Sequence, residues 1–285
     1  MNKRKHNHWE NLRRFRYAHR GLFHQPRSAS RKLPEGGKEP LWREDIVRWK
    51  AEGRRIVPEN SMKAFRMAVR HGFGSELDVR LTLDGRLAVF HDTNLLRMTG
   101  TGGRIEKMTW RELSQIRLLD TSSGIPLLEE VLDLYAGTHL PLIIELKAEG
   151  NVRALCSTVM ETIDRYPALN YCIESFDPRA VLWFRINRPD VIRGQLTENF
   201  TKIHEAVRQW GYLMTLGMWS VAPDLLSRPD FISSRFRDRR NVFIRMSHRL
   251  GVGQVNWIIR NRKDLDTVDQ EGGLSIFERF IPDME

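Results

Sequence analysis

Three acidic residues lie in stretches of the sequence that are predicted to form β-strands. Glu76 and Asp78 are two residues apart in SELDV and so point to one face of a strand, and Glu145 ends the apolar run PLIIE. Converging carboxylates repel one another and cannot all ionise without a cation, and a ligand set made only of oxygens suits Mg²⁺ or Ca²⁺. The pattern therefore indicates a divalent cation site. The alternative is that each carboxylate forms its own salt bridge with an arginine.

Two histidines also end predicted strands. His19 lies in RYAHRG and His91 lies in LAVFHD. A pair of imidazoles beside a metal ion is suited to work as general base and general acid near neutral pH. A single histidine in such a place is more often a hydrogen-bonded structural residue. Together with the three carboxylates, the pair favours catalysis.

Two cationic side chains are close to these residues in the sequence. Lys147 is two residues beyond Glu145, so it could hold a phosphoryl oxygen or neutralise that carboxylate. Arg20 follows His19 and precedes a glycine that permits a tight turn. Arg20 could clamp a phosphate with two parallel hydrogen bonds, or it could pair with Glu59. The sequence leaves both choices open.

The elements that position these residues alternate between strand and helix patterns. Eight βα units in a chain of this length predict an α/β fold, the TIM (β/α)8 barrel, in which strand ends carry the site. The predicted strands are 16–19, 75–79, 142–146, 171–175, 192–197, 230–233, 254–260 and 275–277. Helix starts are marked by the capping-box pattern TWRE at 109–112 and by Asp177 before Pro178.

Two features depart from this alternation. Residues 75–79 and 87–91 flank LDG at 83–85, which predicts a β-hairpin (75–91) at the carboxyl-terminal rim of the barrel. A turn centred between residues 83 and 84 places Glu76 across from His91. The first βα connection, residues 22–58, is unusually long, and apolar residues within 41–52 predict one amphipathic helix there.

Composition narrows the class of protein. The chain has 285 residues, 41% of them hydrophobic and 29% charged, which supports a folded core. It has no run of about 18 uncharged apolar residues and no secretory signal pattern, so no stable membrane insertion is expected. Cys156 and Cys172 lack metal-binding spacing and are expected to be buried thiols of a cytoplasmic protein. We expect a single domain over 1–285, with 1–15 as a basic tail.

The net charge of +10 attracts anions such as nucleic acid, acidic membranes or phosphorylated substrates. The basic residues are scattered, and the sequence has no recognised nucleic-acid-binding motif. We therefore expect no nucleic acid partner.

Several stretches of the chain resemble the glycerophosphodiester phosphodiesterase family, TIM-barrel enzymes related to phosphatidylinositol-specific phospholipase C. They are AHRG at 18–21, PENS at 58–61, ELDVRLTLDGRLAVFHD at 76–92, LLRMTG at 95–100, IPLLEEVL at 125–132, IELK at 144–147 and ESFDP at 174–178. The resemblance implies a phosphoric diester hydrolase that contains Mg²⁺ or Ca²⁺ and converts glycerophosphodiesters to glycerol 3-phosphate and an alcohol.

The resemblance also implies roles for individual residues. It places the metal ligands at Glu76, Asp78 and Glu145 and the acid/base pair at His19 and His91. Supporting roles fall to Arg20, Glu59 and Lys147.

The sequence departs from the family pattern at two places. Ser61 stands where the family usually has threonine, and Ile258 follows Trp257 where threonine is common. Trp257 could pack on the glycerol of the substrate or could belong to the barrel packing. The alternative functions are a phospholipase C-like or D-like enzyme acting on lipids or lysolipids, or a basic binding protein on a vestigial barrel. The alcohol of the substrate and the oligomeric state stay open.

Overall fold

The computed structural model describes residues 3–34, 36–198 and 227–283. Within these residues there are nine strands: β1 (Tyr17–His19), β2 (Gly74–Leu81), β3 (Leu87–Val89), β4 (Leu142–Leu146), β5 (Tyr171–Ser175), β6 (Arg193–Thr197), β7 (Phe231–Arg235), β8 (Gly253–Ile259) and β9 (Leu274–Phe277). The strand order is β1-β9-β8-β7-β6-β5-β4-β2-β3, and β1 also pairs with β2. Eight strands therefore close into a ring, which confirms the predicted TIM barrel.

Helices connect most of the strands. The described residues form α1 (Lys3–Leu12), α2 (Arg43–Ala51), α3 (Met62–Arg70), α4 (Leu96–Thr99), α5 (Trp110–Leu113), α6 (Leu128–Ala136), α7 (Val152–Ile163), α8 (Pro178–Asn187), α9 (Val242–Arg249) and α10 (Arg262–Gln270). The predicted caps are present, because Thr109 and Glu112 form a capping box and the Asp177 side chain accepts a hydrogen bond from the N–H of Arg179. None of these helices has the length and apolar composition that crossing a bilayer needs.

The β-hairpin is present, but its register differs from the prediction by one residue. β2 and β3 are antiparallel and pair Val79 with Val89 and Arg80 with Ala88. The turn is longer than two residues, because the N–H of Thr82 donates to the carbonyl of Arg86, and Gly85 adopts a positive φ of 77°. The predicted pairing of Glu76 with His91 was therefore wrong. A shift of one residue moves side chains to the opposite face, so turn chemistry decides this detail.

The expected basic tail is a helix over most of its length. Trp9 and Leu12 of α1 are buried, and the ring of Trp9 stacks on Phe231 of β7 with centroids 5.1 Å apart. Lys5 of the same helix is buried beside Asp230, with its Nζ 2.5 Å from a carboxylate oxygen. Gly253 permits this packing, since a Cβ there would lie 2.4 Å from the Trp9 ring. The sequence argument considered only the charges and missed the apolar face.

Contacts along the chain group it into two compact units. Unit 1 comprises the described residues of Met1–Tyr17, Ile143–Cys156 and Tyr171–Glu285, and unit 2 comprises those of Ala18–Leu142 and Ser157–Asn170. Unit 1 contains a buried apolar cluster that runs along β4 to β9 and ends on α1. Both cysteines are buried free thiols, as predicted.

In unit 2, the long connection 22–58, here called the inserted segment, has its own apolar cluster. The predicted helix is present as α2, and Trp42, Ile46 and Trp49 are buried. These side chains pack with apolar residues of 88–125, among them Phe90 and Met98. An antiparallel bridge between His24 and Val57 joins the two ends of the segment. The inserted segment is therefore a folded part of unit 2.

Candidate active site

The turn after β1 positions His19 and Arg20. Arg20 and Gly21 both have positive φ angles, 54° and 74°. A Cβ on Gly21 would lie 2.8 Å from the backbone carbon of Ala64, so glycine is required by both conformation and space. The main-chain N–H of Arg20 donates a hydrogen bond of 3.1 Å to Oε2 of Glu76. The turn therefore aligns the end of β1 with the acidic residues of β2.

Glu76 and Asp78 are both buried on β2, with exposed fractions of 2% and 0%. The side-chain amide of Asn60 donates to Oδ2 of Asp78 over 2.7 Å, and Nε of Arg20 lies 3.3 Å from the same oxygen. Nε2 of His19 is 3.9 Å from Oε2 of Glu76. Two predicted ligands and one predicted catalytic histidine thus lie together in unit 2.

His91 is held from both its side chain and its backbone. Its Nδ1 lies 2.6 Å from Oδ1 of Asp92. A carboxylate only accepts hydrogen bonds, so Nδ1 carries the proton and, in the neutral ring, Nε2 is the acceptor nitrogen. The buried guanidinium of Arg80 donates to the carbonyl oxygen of His91 over 3.0 and 2.7 Å and is itself paired with Glu106. These contacts fix both the orientation of the ring and the position of the backbone at His91.

Glu59 lies between two arginines and is buried. Its Oε1 is 2.6 Å from Nη1 of Arg20 and also 2.6 Å from Nη2 of Arg97. Burial raises the pKa of Glu59, but the charges of Arg97 and Arg20 outweigh burial and lower the pKa to about 2. Burial opposes the charge of Arg20 as well, yet Glu59, Asp78 and Glu76 hold its pKa above the usual range. Arg20 therefore pairs with Glu59, as one sequence alternative held.

Asp92 and Arg97 extend this network. Nε of Arg97 donates to Oδ2 of Asp92, while Oδ1 of Asp92 faces His91. Burial raises the pKa of Asp92, but the hydrogen bond from His91 and the charge of Arg97 outweigh it and keep the pKa well below its usual range. Sequence reasoning assigned Asn60, Asp92 and Arg97 no role in the site. The signal that could have identified them was their position within the stretches PENS, FHD and LLRMTG, which resemble the family.

In unit 1, Glu145 and Lys147 lie at the carboxyl end of β4. Nζ of Lys147 is 2.5 Å from Oε1 of Glu145, and both side chains are about one-tenth exposed. Lys147 therefore neutralises Glu145 in this structure, which was one of the two alternatives. The neighbouring strand contributes Ser175, whose hydroxyl donates to the carbonyl of Leu146 over 2.7 Å and fixes the end of β4.

The three predicted ligands come together. Glu76, Asp78 and Glu145 are all buried, and each offers a carboxylate oxygen within 4.8 Å of the others. Three oxygens this close match the hard-oxygen donor set that Mg²⁺ and Ca²⁺ prefer. The residues present thus fit a divalent cation, although Arg20 and Lys147 also lie beside Asp78 and Glu145.

Trp257, on β8 in unit 1, packs against the apolar cluster of that unit. Its ring meets Phe176 edge to face with centroids 6.0 Å apart, and the guanidinium of Arg235 lies 5.4 Å from its centroid. Its indole nitrogen is buried without a hydrogen-bond partner among the described residues. Barrel packing of Trp257 is therefore present, and the indole N–H is available for another acceptor.

A protein-family model, single known proteins and solved structures all match this chain. The family model described as the glycerophosphoryl diester phosphodiesterase family matches residues 51–276, a range that begins after His19 and Arg20. The chain is 47% identical to a glycerophosphodiester phosphodiesterase of Bacillus altitudinis over 98 residues, which are 32% of this chain and 40% of that protein. It is 36% identical to a lysophospholipase D of Homo sapiens over 121 residues, 38% of this chain and 37% of that protein.

The aligned parts thus span less than half the length of these two relatives. Among solved structures, a phosphodiesterase of Oleispira antarctica in complex with the product sn-glycerol-3-phosphate matches with a TM-score of 0.64 and 20% identity. That match covers 78% of this chain and 87% of the other, and it shows a shared fold.

Proposed function

This chain belongs to the glycerophosphoryl diester phosphodiesterase family, and we propose that it hydrolyses glycerophosphodiesters to glycerol 3-phosphate and an alcohol. The observation that carries the proposal is the buried trio of Glu76, Asp78 and Glu145, whose oxygens lie within 4.8 Å of one another. A charged cluster of this kind is costly to bury, and a cation that binds a phosphate offsets the cost.

Glu76, Asp78 and Glu145 would hold the cation, Mg²⁺ or Ca²⁺. When bound, it supplies positive charge that stabilises the negative charge developing on the phosphate in the transition state. Arg20 and Lys147 would hold phosphate oxygens. Support for this comes from their placement, since Arg20 lies 3.3 Å from Asp78 and Lys147 lies 2.5 Å from Glu145. Glu59 would support Arg20 by fixing its guanidinium.

His19 and His91 would transfer the protons. One removes a proton from the attacking oxygen, which belongs to water or to the neighbouring glycerol hydroxyl. In the second case departure of the alcohol gives a cyclic phosphate, which water then opens to glycerol 3-phosphate. As the new P–O bond forms, the bond from phosphorus to the alcohol oxygen breaks, and the other histidine protonates that oxygen. The hydrogen bond from Nδ1 of His91 to Asp92 supports this role, because it favours the tautomer in which Nε2 is the proton acceptor. Trp257 would pack on the glycerol.

A second candidate activity is the release of a head group from lysolipids. It is favoured by the similarity to a lysophospholipase D of Homo sapiens, 36% identical over 121 residues. The two activities share bond chemistry and differ in the acyl chain of the substrate. On the inserted segment, Leu41 and Val47 are exposed apolar residues, with exposed fractions of 45% and 69%. An acyl chain of the substrate could pack against these two exposed apolar side chains.

Product analysis distinguishes the candidates. Glycerophosphocholine, glycerophosphoethanolamine, glycerophosphoinositol and lysophosphatidylcholine are each incubated with the protein and Mg²⁺ or Ca²⁺, and the products are identified by ³¹P NMR. The proposal predicts glycerol 3-phosphate from at least one glycerophosphodiester. Lysophosphatidic acid formed from lysophosphatidylcholine alone would favour the second activity. Choline phosphate as the product would indicate cleavage on the other side of phosphorus and contradict the proposal.

A cytoplasmic location is proposed as well, on the basis of two cysteines that stay unpaired and buried. Fractionation of cells that express the chain, followed by detection of the protein in each fraction, tests this location.

A further inference from the structure

The inserted segment contacts the candidate active site at two residues. Gln25 exchanges hydrogen bonds of 2.8 and 2.9 Å with Glu59, and the second contact is made with Arg97. Nη1 of Arg97 donates to the carbonyl oxygen of Ala29 over 2.7 Å, and Nε1 of Trp42 donates to the carbonyl oxygen of Arg97 over 2.5 Å. Ala29 and Trp42 are both buried in the apolar cluster of the inserted segment. The segment therefore holds Arg97 at its side chain and at its backbone.

The same guanidinium contacts the carboxylates that hold two residues of the site. Nη2 of Arg97 is 2.6 Å from Oε1 of Glu59, and that oxygen also accepts from Arg20 over 2.6 Å. Nε of Arg97 donates to Asp92, whose other oxygen lies 2.6 Å from Nδ1 of His91. Arg97 thus binds two carboxylates: Glu59, which pairs with Arg20, and Asp92, which pairs with His91.

The chemistry of arginine suits this place. Its planar guanidinium offers several N–H donors in fixed directions, so two carboxylates and a carbonyl that bind it are oriented relative to one another. Because Arg97 and Glu59 are buried, the hydrogen bond between them is strong and an incomplete set of partners is costly. A lysine would keep the charge but would lose the fixed directions.

We propose that Arg97 is a positioning residue: braced by the inserted segment, it orients His91 through Asp92 and Arg20 through Glu59. The catalytic consequence rests on the proposed function, because it matters for turnover only if His91 and Arg20 act on the substrate. The inserted segment, whose role the sequence left open, then helps to align the residues of the site.

The kinetic test compares Arg97→Lys and Arg97→Met with a matched control, Arg193→Met. Arg193 is also a buried arginine beside a carboxylate, 3.5 Å from Asp230, and it lies outside the network. The proposal predicts that Arg97→Met lowers kcat by about 10²-fold and raises KM, while Arg193→Met loses similar stability with unchanged kcat and KM. Arg97→Lys should keep most of the stability and recover only part of kcat. Equal kinetics of Arg97→Met and the control would overturn the proposal.

A third variant tests the contact between the inserted segment and the backbone of Arg97. Trp42→Phe keeps an aromatic ring in the apolar cluster and removes the N–H donor to the carbonyl of Arg97. It should change kcat in the same direction as Arg97→Met and by a smaller factor. Wild-type kinetics in Trp42→Phe would contradict a role for the inserted segment.

A measurement without substrate separates this proposal from the proposed function. Histidine ¹⁵N NMR reports which ring nitrogen of His91 carries the proton, and His91→Gln assigns the signal. The proposal predicts a ring protonated at Nδ1 in the wild type and a shift toward the Nε2-protonated form in Arg97→Met. An unchanged signal would overturn it. If the wild type hydrolyses no diester, the proposed function fails, and the ring measurement still decides the positioning role.

Discussion

The main-chain N–H of Arg20 donates a hydrogen bond of 3.1 Å to Oε2 of Glu76. Through this bond the turn after β1 sets the direction of a carboxylate that belongs to β2. The turn requires a positive φ at Arg20, which costs energy for a residue with a side chain. The cost is tolerated because the same turn brings His19 within 3.9 Å of Glu76.

Replacement of Gly21 should therefore damage both the fold and the site. Gly21→Ala places a Cβ 2.8 Å from the backbone of Ala64 at a φ of 74°, so we expect it to lose stability by about 1–3 kcal/mol and to lower activity further. Gly85→Ala is the matched control, because Gly85 has a φ of 77° and nothing within 4 Å of its added Cβ. Urea unfolding of both variants measures the difference, and equal losses would contradict the close approach.

Removal of either proposed catalytic histidine should lower turnover. His19→Ala and His91→Ala are each expected to reduce kcat by about 10²–10⁴-fold, the usual contribution of general acid–base catalysis. His248, an exposed residue on α9, provides the control, since His248→Ala should leave kcat unchanged. Steady-state kinetics on the preferred glycerophosphodiester give the answer. Near-wild-type turnover in both site variants would remove the histidine pair from the mechanism.

The network around Glu59 predicts a pH dependence of stability. The carboxyl has a pKa of about 2 in the folded chain against an ordinary value of 4.5. A lowered pKa stabilises the fold above pH 4.5, and this contribution is lost as the pH falls from 4.5 toward 2. In Glu59→Gln the same stretch of the profile should be flatter. Denaturant unfolding at a series of pH values compares the two proteins, and parallel profiles would refute the assignment.

The buried ion pair of α1 should be important for stability. Lys5→Met leaves the carboxylate of Asp230 buried, with the more distant Arg193, at 3.5 Å, as its cationic partner among the described residues, and should cost about 3–5 kcal/mol. Lys3→Met, an exposed lysine on the same helix, should change little. Urea midpoints of the two variants test this, and similar midpoints would mean that α1 contributes little to the core.

Much of this arrangement could be predicted from the sequence, for reasons that are visible in particular residues. The apolar runs of β4 and β5 placed both strands at 142–146 and 171–175, because a buried parallel strand has a strong local pattern. The spacing of Glu76 and Asp78 placed both on one face of β2.

Other features depend on contacts that local patterns do not encode. The hairpin register was off by one residue because the turn Thr82–Arg86, with its positive φ at Gly85, is longer than the LDG signal indicated. The sequence did not predict α1, because its few apolar residues are buried against β7, which is distant from α1 in the sequence. In the network from His91 to Arg20, directly bonded residues are up to 39 positions apart, so only the folded chain shows which acid meets which base.

The central claim is that three carboxylates hold a divalent cation that the hydrolysis needs. Its direct test is the release of glycerol 3-phosphate by protein stripped of metal, titrated with Mg²⁺ or Ca²⁺, beside Glu145→Gln treated in the same way. The account predicts no turnover in excess chelator, recovery on adding the cation, and a higher half-maximal cation concentration in Glu145→Gln. Full turnover in excess chelator, equal in both proteins, would contradict it and point to a metal-free mechanism like that of phosphatidylinositol-specific phospholipase C.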